Sequence, residues 1–545
     1  MKNEPLWYLN AVFYELNVRA FFDADGDGHG DLAGVTSKLD YLQDLGVDAI
    51  WLLPIYPSPL LDGGYDIANY YGIHSDYGDL EDFKKFIAEA HQRGMRVITD
   101  LVLNHTSDQH PWFQAARQGQ DNPYHDYYVW SDDDQKYSEA RIIFIDSEAS
   151  NWSWDESAQR YYWHRFYASQ PDLNYDNPQV RQEMIDIARF WLDLGVDGFR
   201  ADAVPYLFER EGTNCENLPE THAYLKQLRS YIDQNYPGRI LLCEANQWPQ
   251  DVREYFGNGD EFHMGFHFPL MPRIYMALRR SDVAPLEWVM EKTPTIPDNT
   301  QWCIFLRNHD ELTLEMVTEG DRQWMWEQFA PEPRMRLNLG IRRRLAPLLD
   351  NDHRQIKLAY SLLFTLPGSP IIYYGDEIGM GDDIYLPDRN GVRTPMQWDS
   401  SPQAGFSSAS ANELYAPLVS SPGFTPQDVN VAEQSTHPGS LLNIIKEMIK
   451  VRKSRPLLST GKFSWEATLP VQSPNPIAAY SRENDHSKLV IIQNLSPKKQ
   501  STSIQLPDAA NIESILGNSD FSLENDQILA ELEPYGYLWL QINGQ

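Results

Sequence analysis

Arg96-Val-Ile-Thr-Asp-Leu-Val-Leu-Asn-His105 is the most informative stretch of the chain. Its apolar and β-branched residues read as a strand, and the run ends by delivering Asp100, Asn104 and His105 in quick succession. A helix from about Asp82 to Arg93 leads into it. Before that lie the strand Ala49-Ile-Trp-Leu-Leu53 and a helix from about Leu32 to Leu45, with Leu39, Leu42 and Leu45 on one face. Val12-Phe-Tyr-Glu-Leu-Asn17 opens the series as a further strand. Short β-branched runs separated by helices of this length predict a parallel sheet of βα units.

Downstream the alternation stops. From His105 to about Pro171 the chain is rich in Trp, Tyr, Asp and Gln and shows no helical period. A stretch that long is not an ordinary loop, so residues 105–172 read as an inserted subdomain. Alternation resumes with a helix over Pro178–Leu194, its proline at a plausible first turn, and the strand Gly198-Phe-Arg-Ala201. Further strands are expected at Ile240–Cys243, Phe262–Phe266, Trp302–Leu306 and Ile371–Tyr374. That makes eight, the number that closes a (β/α)8 barrel, built from residues 1–104 and 173–455. Beyond Pro456 the runs Ala478–Arg482, Lys488–Asn494 and Gly536–Ile542 are separated by Pro, Asn, Asp and Ser turns. Residues 456–545 are therefore expected to form an antiparallel β domain.

The 545 residues carry 45 Lys plus Arg against 78 Asp plus Glu, a net charge of −33 that argues against nucleic acid or an anionic membrane as partner. The acidity keeps the chain dispersed and names no substrate, and it leaves homo-oligomerisation open. Three cysteines, Cys215, Cys243 and Cys303, are too few for a disulfide scaffold, and the last two lie in apolar runs as small core residues do. The N-terminus lacks the basic head and apolar core of a secretion signal. The best apolar run, Leu362–Tyr374, is broken by Pro367, Gly368 and Pro370 and falls short of the roughly 18 residues that span a bilayer. The expected compartment is the cytoplasm.

In barrels of this kind chemistry gathers where strands end. Four predicted strands end in acids or histidines: Asp100-Leu-Val-Leu-Asn-His105, Gly198-Phe-Arg-Ala-Asp202, Leu242-Cys-Glu244 and Leu306-Arg-Asn-His-Asp310. One such group can be a structural ion pair, but four around one rim strain that explanation. These segments resemble, in order and spacing, the four signature segments of the α-amylase superfamily of glycoside hydrolases and transferases. The resemblance covers most of the chain and implies a barrel, a subdomain inserted after the third strand and a C-terminal β domain. It implies Asp202 as nucleophile, Glu244 as general acid/base and Asp310 as stabiliser of the distorted sugar. Retaining glycosyl transfer requires these types, one ionised carboxylate to attack the anomeric carbon and one protonated carboxyl to serve the leaving oxygen.

Arg200, two positions before Asp202 and on the same strand face, is placed to hold the nucleophile ionised. By the same resemblance His105 and His309 contact sugar hydroxyls, and Tyr65 in Asp62-Gly-Gly-Tyr-Asp66 is the stacking platform. Asp62 and Arg393 are expected to clamp the blind end of the pocket, with Arg389 a rival to Arg393.

Two cation sites are expected. Asp23-Ala-Asp-Gly-Asp-Gly-His-Gly-Asp31 places Asp23, Asp25, Asp27 and Asp31 at positions one, three, five and nine of a loop with glycine at six, and His29 at seven. It resembles an EF-hand-type calcium loop, although Gly34 replaces the bidentate glutamate at twelve, so magnesium can substitute. Without a cation, four carboxylates on one small loop repel each other. The second site is implied by the family: Asn104, Asp172 in Gln170-Pro-Asp-Leu-Asn174 and Glu209, with carbonyls at Tyr206 and Leu207, binding structural calcium. No organic cofactor is expected.

Gln170–Asn174 is similar to the segment of family members that act on short α-glucosides. Asp202-Ala-Val-Pro-Tyr-Leu-Phe-Glu209, Glu244-Ala-Asn-Gln-Trp248, His309-Asp-Glu-Leu-Thr-Leu-Glu315 and Met325-Trp-Glu-Gln-Phe-Ala-Pro-Glu-Pro-Arg-Met-Arg336 resemble the branch that interconverts maltose and α,α-trehalose. That reaction asks a released glucose to stay, turn and attack through its anomeric hydroxyl while water is kept out. Asn246, Gln247, Glu311, Glu315 and Tyr206 are the candidates to hold it. Residues 321–352 are expected to cover the pocket or to form a surface helical hairpin, with Arg342, Arg343 and Arg344 in salt bridges. Two alternatives stand beside the isomerase: an α-glucosidase hydrolysing maltose or sucrose, and a non-catalytic relative, which should lack the acids.

Overall fold

The computed structural model describes residues 6–506 and 511–543. Eight strands form a closed parallel barrel: β1 (Phe13–Leu16), β2 (Ala49–Leu52), β3 (Arg96–Val102), β4 (Gly198–Asp202), β5 (Ile240–Cys243), β6 (Met264–Phe266), β7 (Gln301–Phe305) and β8 (Ser369–Tyr373). All eight coincide with strands expected from the sequence. They are buried almost throughout, as strands covered by helices outside and side chains within must be, and so they read as continuous apolar runs. Register then places the chemistry: Asp100 on β3 stands opposite Arg200 on β4, and Val102 opposite Asp202. Ala201 stands opposite Cys243, so the next residue of that chain, Glu244, leaves β5 level with Asp202.

The helices differ in detail. The period over Leu32–Leu45 is shared by two helices, Leu32–Ser37 and Leu39–Leu45, with a break at Lys38 (φ −102°, ψ 6°). Leu39, Leu42 and Leu45 are buried as expected, so the apolar stripe gave no sign of the break. The inserted subdomain holds a helix, Pro111–Ala116, which corrects the expectation of no helical element there. Six residues are under two turns, too few to show a period. The rest of the subdomain is built on an antiparallel sheet of Trp130–Ser131, Arg160–Trp163 and Trp152–Asp155.

Residues 321–352 are not a helical hairpin. A helix over Glu319–Phe329 is followed by a β-hairpin, Arg336–Leu337 with Gly340–Ile341, which pairs with Leu312–Thr313. Arg343 and Arg344 pair with Asp382 and Asp376, whereas Arg342 donates to the carbonyls of Ile384, Leu386 and Asp388.

C-terminal to the barrel, nine described strands form a five-stranded and a four-stranded antiparallel sheet. Alternation sorts one strand's residues to two cores: Ile477 and Ala479 face the second sheet, and Ala478 and Tyr480 join the barrel's own core. Cys215, Cys243 and Cys303 are buried and free. Among the described residues no helix is long and apolar enough to cross a membrane.

Candidate active site

A cavity opens at the carboxyl ends of the barrel strands. Asp202, Glu244 and Asp310 all line it, together with Asp62, Tyr65, His105, Tyr206, Asn246, Glu311, Glu315 and Arg389. The centre is organised by one guanidinium. Arg200, 1% exposed, donates from Nη1 to Asp202 Oδ1 at 2.6 Å and to Asp100 Oδ1, and its Nη2 lies 2.5 Å from Glu244 Oε1. Asp202 and Glu244 therefore share one cation, and the backbone N–H of Ala203 donates to Glu244 Oε2 at 3.2 Å.

Burial, opposed by this shared cation, sets the titration of the pair. Burial pushes Asp202 up to about 6 against the pull of Arg200. Burial pushes Glu244 further, to about 7, again opposed by Arg200 and reinforced by Asp202 and Asp310. One carboxylate that ionises first and one acid that holds its proton to neutrality is the division of labour that retaining glycosyl transfer needs. Asp310 behaves oppositely. Burial would raise it, but His309, Arg389 and Arg393 outweigh burial and hold it well below the usual carboxylate range.

His309 is the hub of that second cluster. Its Nδ1 lies 2.5 Å from Glu15 Oε1, and its Nε2 lies 3.1 Å from Asp310 Oδ2 and 2.9 Å from the Tyr65 hydroxyl. Burial would discharge the ring, yet Asp310 and Glu15 raise it to about 9, so both nitrogens donate. Tyr65 is stacked on His309 with an interplanar angle of 14°. His105 is the contrast: burial lowers it to about 3, and neither ring nitrogen has a partner in the protein. A buried neutral imidazole facing a cavity with both nitrogens free is suited to a ligand hydroxyl.

The blind end corrects one expectation. Asp62 pairs with Arg389, not Arg393: Arg389 Nη2 donates to Asp62 Oδ1 and its Nη1 to Asp310 Oδ1 at 2.9 Å. Arg393 lies behind that layer, with Nε donating to the His309 carbonyl at 3.0 Å and Nη2 to Asp310 at 3.1 Å. The two arginines are four residues apart in one loop, and only its path, through a turn at Asn390–Val392, determines which reaches the wall.

On the opposite wall Asn246 donates to Thr313 Oγ1 at 3.0 Å and leaves its Oδ1 without a partner. Gln247 is buried but does not line the cavity. Arg141, from the inserted subdomain, donates to Glu315 at 2.7 Å, to Glu216 at 2.9 Å and to the Tyr206 hydroxyl at 3.2 Å. Its side chain is 38% exposed and that of Glu315 16%, which puts this bridge at the rim. Ile143, Phe144 and Phe166 from the same subdomain, Phe268 and Asn338 also line the wall and were not anticipated. Only Glu15 left a sequence signal, an acid inside the apolar run of β1.

Of the two cation sites, the N-terminal loop brings oxygens of Asp23, Asp25 and Asp27 within 4.8 Å of one another. Asp31 uses one oxygen to cap the helix at Leu32, accepting from Gly34, and the other to accept from Ala24. The His29 ring lies 3.4 Å from Asp27 and 3.9 Å from Asp76. A Cβ on Gly34 would stand 2.0 Å from the Phe22 carbonyl oxygen, so position twelve has no room for a glutamate. At the second site Asn104 Oδ1, Asp172 Oδ2 and Glu209 Oε1 are all buried without a partner. Burial raises Asp172 to about 8 and Glu209 well above its ordinary value, the latter reinforced by Asp172. Tyr206 and Leu207, whose carbonyls complete the expected set, are buried in the loop after β4.

The family description "Alpha amylase, catalytic domain" matches residues 16–330 and 341–461, and "Maltogenic Amylase, C-terminal domain" matches residues 468–539. The chain is 54% identical over 550 residues to a trehalose synthase/amylase of Mycobacterium tuberculosis, covering 99% of this chain and 91% of that one. It is 51% identical over 556 residues to a trehalose synthase of Pimelobacter sp. (strain R48), covering 99% and 96%. Among solved structures, a mutant of the trehalulose synthase MutB in complex with Tris superposes with a TM-score of 0.79 at 29% identity, over 98% of this chain and 100% of that one.

Proposed function

The chain belongs to the α-amylase family, beside relatives that are trehalose synthases, and from that premise we propose that it interconverts maltose and α,α-trehalose by intramolecular glucosyl transfer. Asp202, ionised and aimed by Arg200, attacks the anomeric carbon of the non-reducing glucose. Glu244 gives its proton to the departing glycosidic oxygen, leaving a covalent glucosyl-enzyme and one free glucose. Asp310, kept ionised by His309, Arg389 and Arg393, binds the hydroxyls of the distorted ring, with Tyr65 beneath it and His105 beside it. The free glucose turns within the cavity, Glu244 takes the proton of its anomeric hydroxyl, and that oxygen attacks the glucosyl carbon to release trehalose. Asn246, Glu311, Glu315 and Tyr206 are the polar groups that hold it in both poses. Water that enters before this step gives minor hydrolysis to glucose.

The observation that carries transfer over hydrolysis is the Arg141–Glu315 bridge between the inserted subdomain and the segment after β7, at the rim of a cavity that already holds the triad. A closed rim keeps water from a reactive intermediate. Maltose alone should yield trehalose as the main product by NMR or chromatography, and Asp202→Asn should abolish both trehalose and glucose. Glucose without trehalose from the unmutated enzyme would reassign it as an α-glucosidase.

Structural calcium fits the orphaned oxygens of Asn104, Asp172 and Glu209, which tie the segment after β3 and the end of the inserted subdomain to the loop after β4. Calcium or magnesium fits Asp23, Asp25 and Asp27. Neither takes part in bond breaking. Chelation should lower the melting temperature and added calcium restore it; a chelator-insensitive protein with no bound metal by elemental analysis would refute both sites. Three buried free thiols suit a reducing compartment, and we place the reaction in the cytoplasm.

A further inference from the structure

Asn338 forms the tip of the β-hairpin between Arg336–Leu337 and Gly340–Ile341, at φ +48°, a left-handed conformation that asparagine tolerates. The tip is fastened in two directions. Outward, its backbone N–H donates to Asp146 Oδ2 at 2.7 Å and its Oδ1 accepts from the Asp146 N–H at 3.4 Å. Inward, its Nδ2 donates to Glu311 Oε1 at 3.2 Å. Asp146 belongs to the inserted subdomain, two residues beyond the wall residue Phe144, and Glu311 directly follows Asp310. The hairpin also lies flat on this segment, since a Cβ on Gly340 would stand 2.5 Å from Glu311 Cγ and 2.8 Å from the Leu312 carbonyl oxygen.

One side chain thus touches the cavity, the residue after the stabilising acid and the subdomain across the mouth. It crosses the opening at a second place, separate from the Arg141–Glu315 bridge. We propose that Asn338 is a specificity-determining residue: by fastening the hairpin to Asp146 and fixing Glu311, it makes the retained glucose, not water, the acceptor of the glucosyl group. This rests on the isomerase reading above. The covalent intermediate accepts whichever hydroxyl arrives first, so a residue that holds the mouth shut and a wall carboxylate in place sets the partition between products. It does not set bond cleavage itself.

Two variants of the full-length enzyme test this on maltose alone. Asn338→Gly keeps the left-handed turn and the N–H to Asp146 while deleting both side-chain contacts. Asp146→Ala removes the carboxylate that accepts from the Asn338 N–H, from a residue outside the cavity, and leaves the Asp146 N–H to Asn338 Oδ1 in place. Both should raise the glucose-to-trehalose ratio, by about tenfold for Asn338→Gly, the worth of a hydrogen bond to a charged group. In the same variant, labelled free glucose should enter trehalose faster than in the unmutated enzyme. An unchanged ratio, including a loss of both products in parallel, overturns the role of Asn338 and leaves the isomerase intact. Glucose alone from the unmutated enzyme overturns both.

Discussion

Of the places where this molecule buries arginine completely, two solve the problem in opposite ways. At the rim Arg200 is surrounded by carboxylates: burial works against its charge, and Glu244, Tyr65, Asp100 and Asp202 overwhelm that, raising its proton affinity far above normal. At the junction of barrel and C-terminal domain, Arg452 and Arg482 meet only neutral acceptors. Arg452 donates to the carbonyls of Phe364 and Gly368 and to Ser459 Oγ. Arg482 donates to the carbonyls of Thr365, Ser459 and Gly461. Burial lowers the pair to about 9 and about 10, Arg452 also by the neighbouring charge of Arg482. The rim arginine controls how acids ionise; the junction pair closes chain ends and loops against a sheet. An arginine's role here is set by whether its partners carry charge.

The largest effect that would break this contrast lies at the junction. Arg482→Met takes donors from three carbonyls, of which that of Ser459 keeps Gln301 Nε2 at 3.4 Å, and at about 1 kcal/mol for each of the other two the loss is roughly 2 kcal/mol. The expected outcome is a clear fall in melting temperature with an unchanged glucose-to-trehalose ratio, measured by thermal denaturation and product analysis on one preparation. A shifted ratio in a protein of unchanged melting temperature would show that the junction speaks to the site, and the division would fall.

Next in size is the pH response, where the rim alone should answer. Turnover needs Asp202 ionised and Glu244 protonated. Asp202 titrates near 6 and Glu244 near 7, so activity is lost below the first value as Asp202 takes a proton and above the second as Glu244 gives one up. The limbs belong to the pair, because both acids share Arg200. A narrow optimum between the two values is expected in kcat/KM for maltose, with slopes approaching about tenfold per pH unit outside it. A flat profile from about pH 5 to 8, well above the ordinary range for Asp and Glu, would mean that burial does not raise the two acids.

Much of this was legible in the sequence, for reasons that differ by element. The barrel strands are buried on both faces, so they announce themselves as apolar runs, and the acids at their ends stand out by contrast. Glu15 breaks the rule from inside β1, a single acid in an apolar run whose burial beside His309 makes it part of the site. Arg141, Phe144 and Asn338 come from segments with no period, and what brings them to the cavity is contact with other parts of the chain. Whether Arg389 or Arg393 meets Asp62 depended on a turn of three residues.

Arg393 is the smallest and sharpest test, because it is built from both halves of the comparison. One nitrogen donates to a carboxylate, Asp310, as the rim arginines do, and another to a carbonyl, that of His309, as the junction arginines do. Lysine at this position keeps the attraction to Asp310, where Arg389 already supplies a second cation, but cannot reach both acceptors in the fixed fork geometry. If charge is what matters at the rim, Arg393→Lys should retain most activity, losing at most about tenfold in kcat/KM, the worth of one hydrogen bond. Arg393→Met should lose more, since Asp310 then keeps only His309 and Arg389 as cationic partners. Equal losses in the two variants, measured on maltose at the pH optimum, would mean that the carbonyl contact dominates. Arg393 would then belong with Arg452 and Arg482, as support for the loop that carries His309 and not as part of the electrostatics of the site.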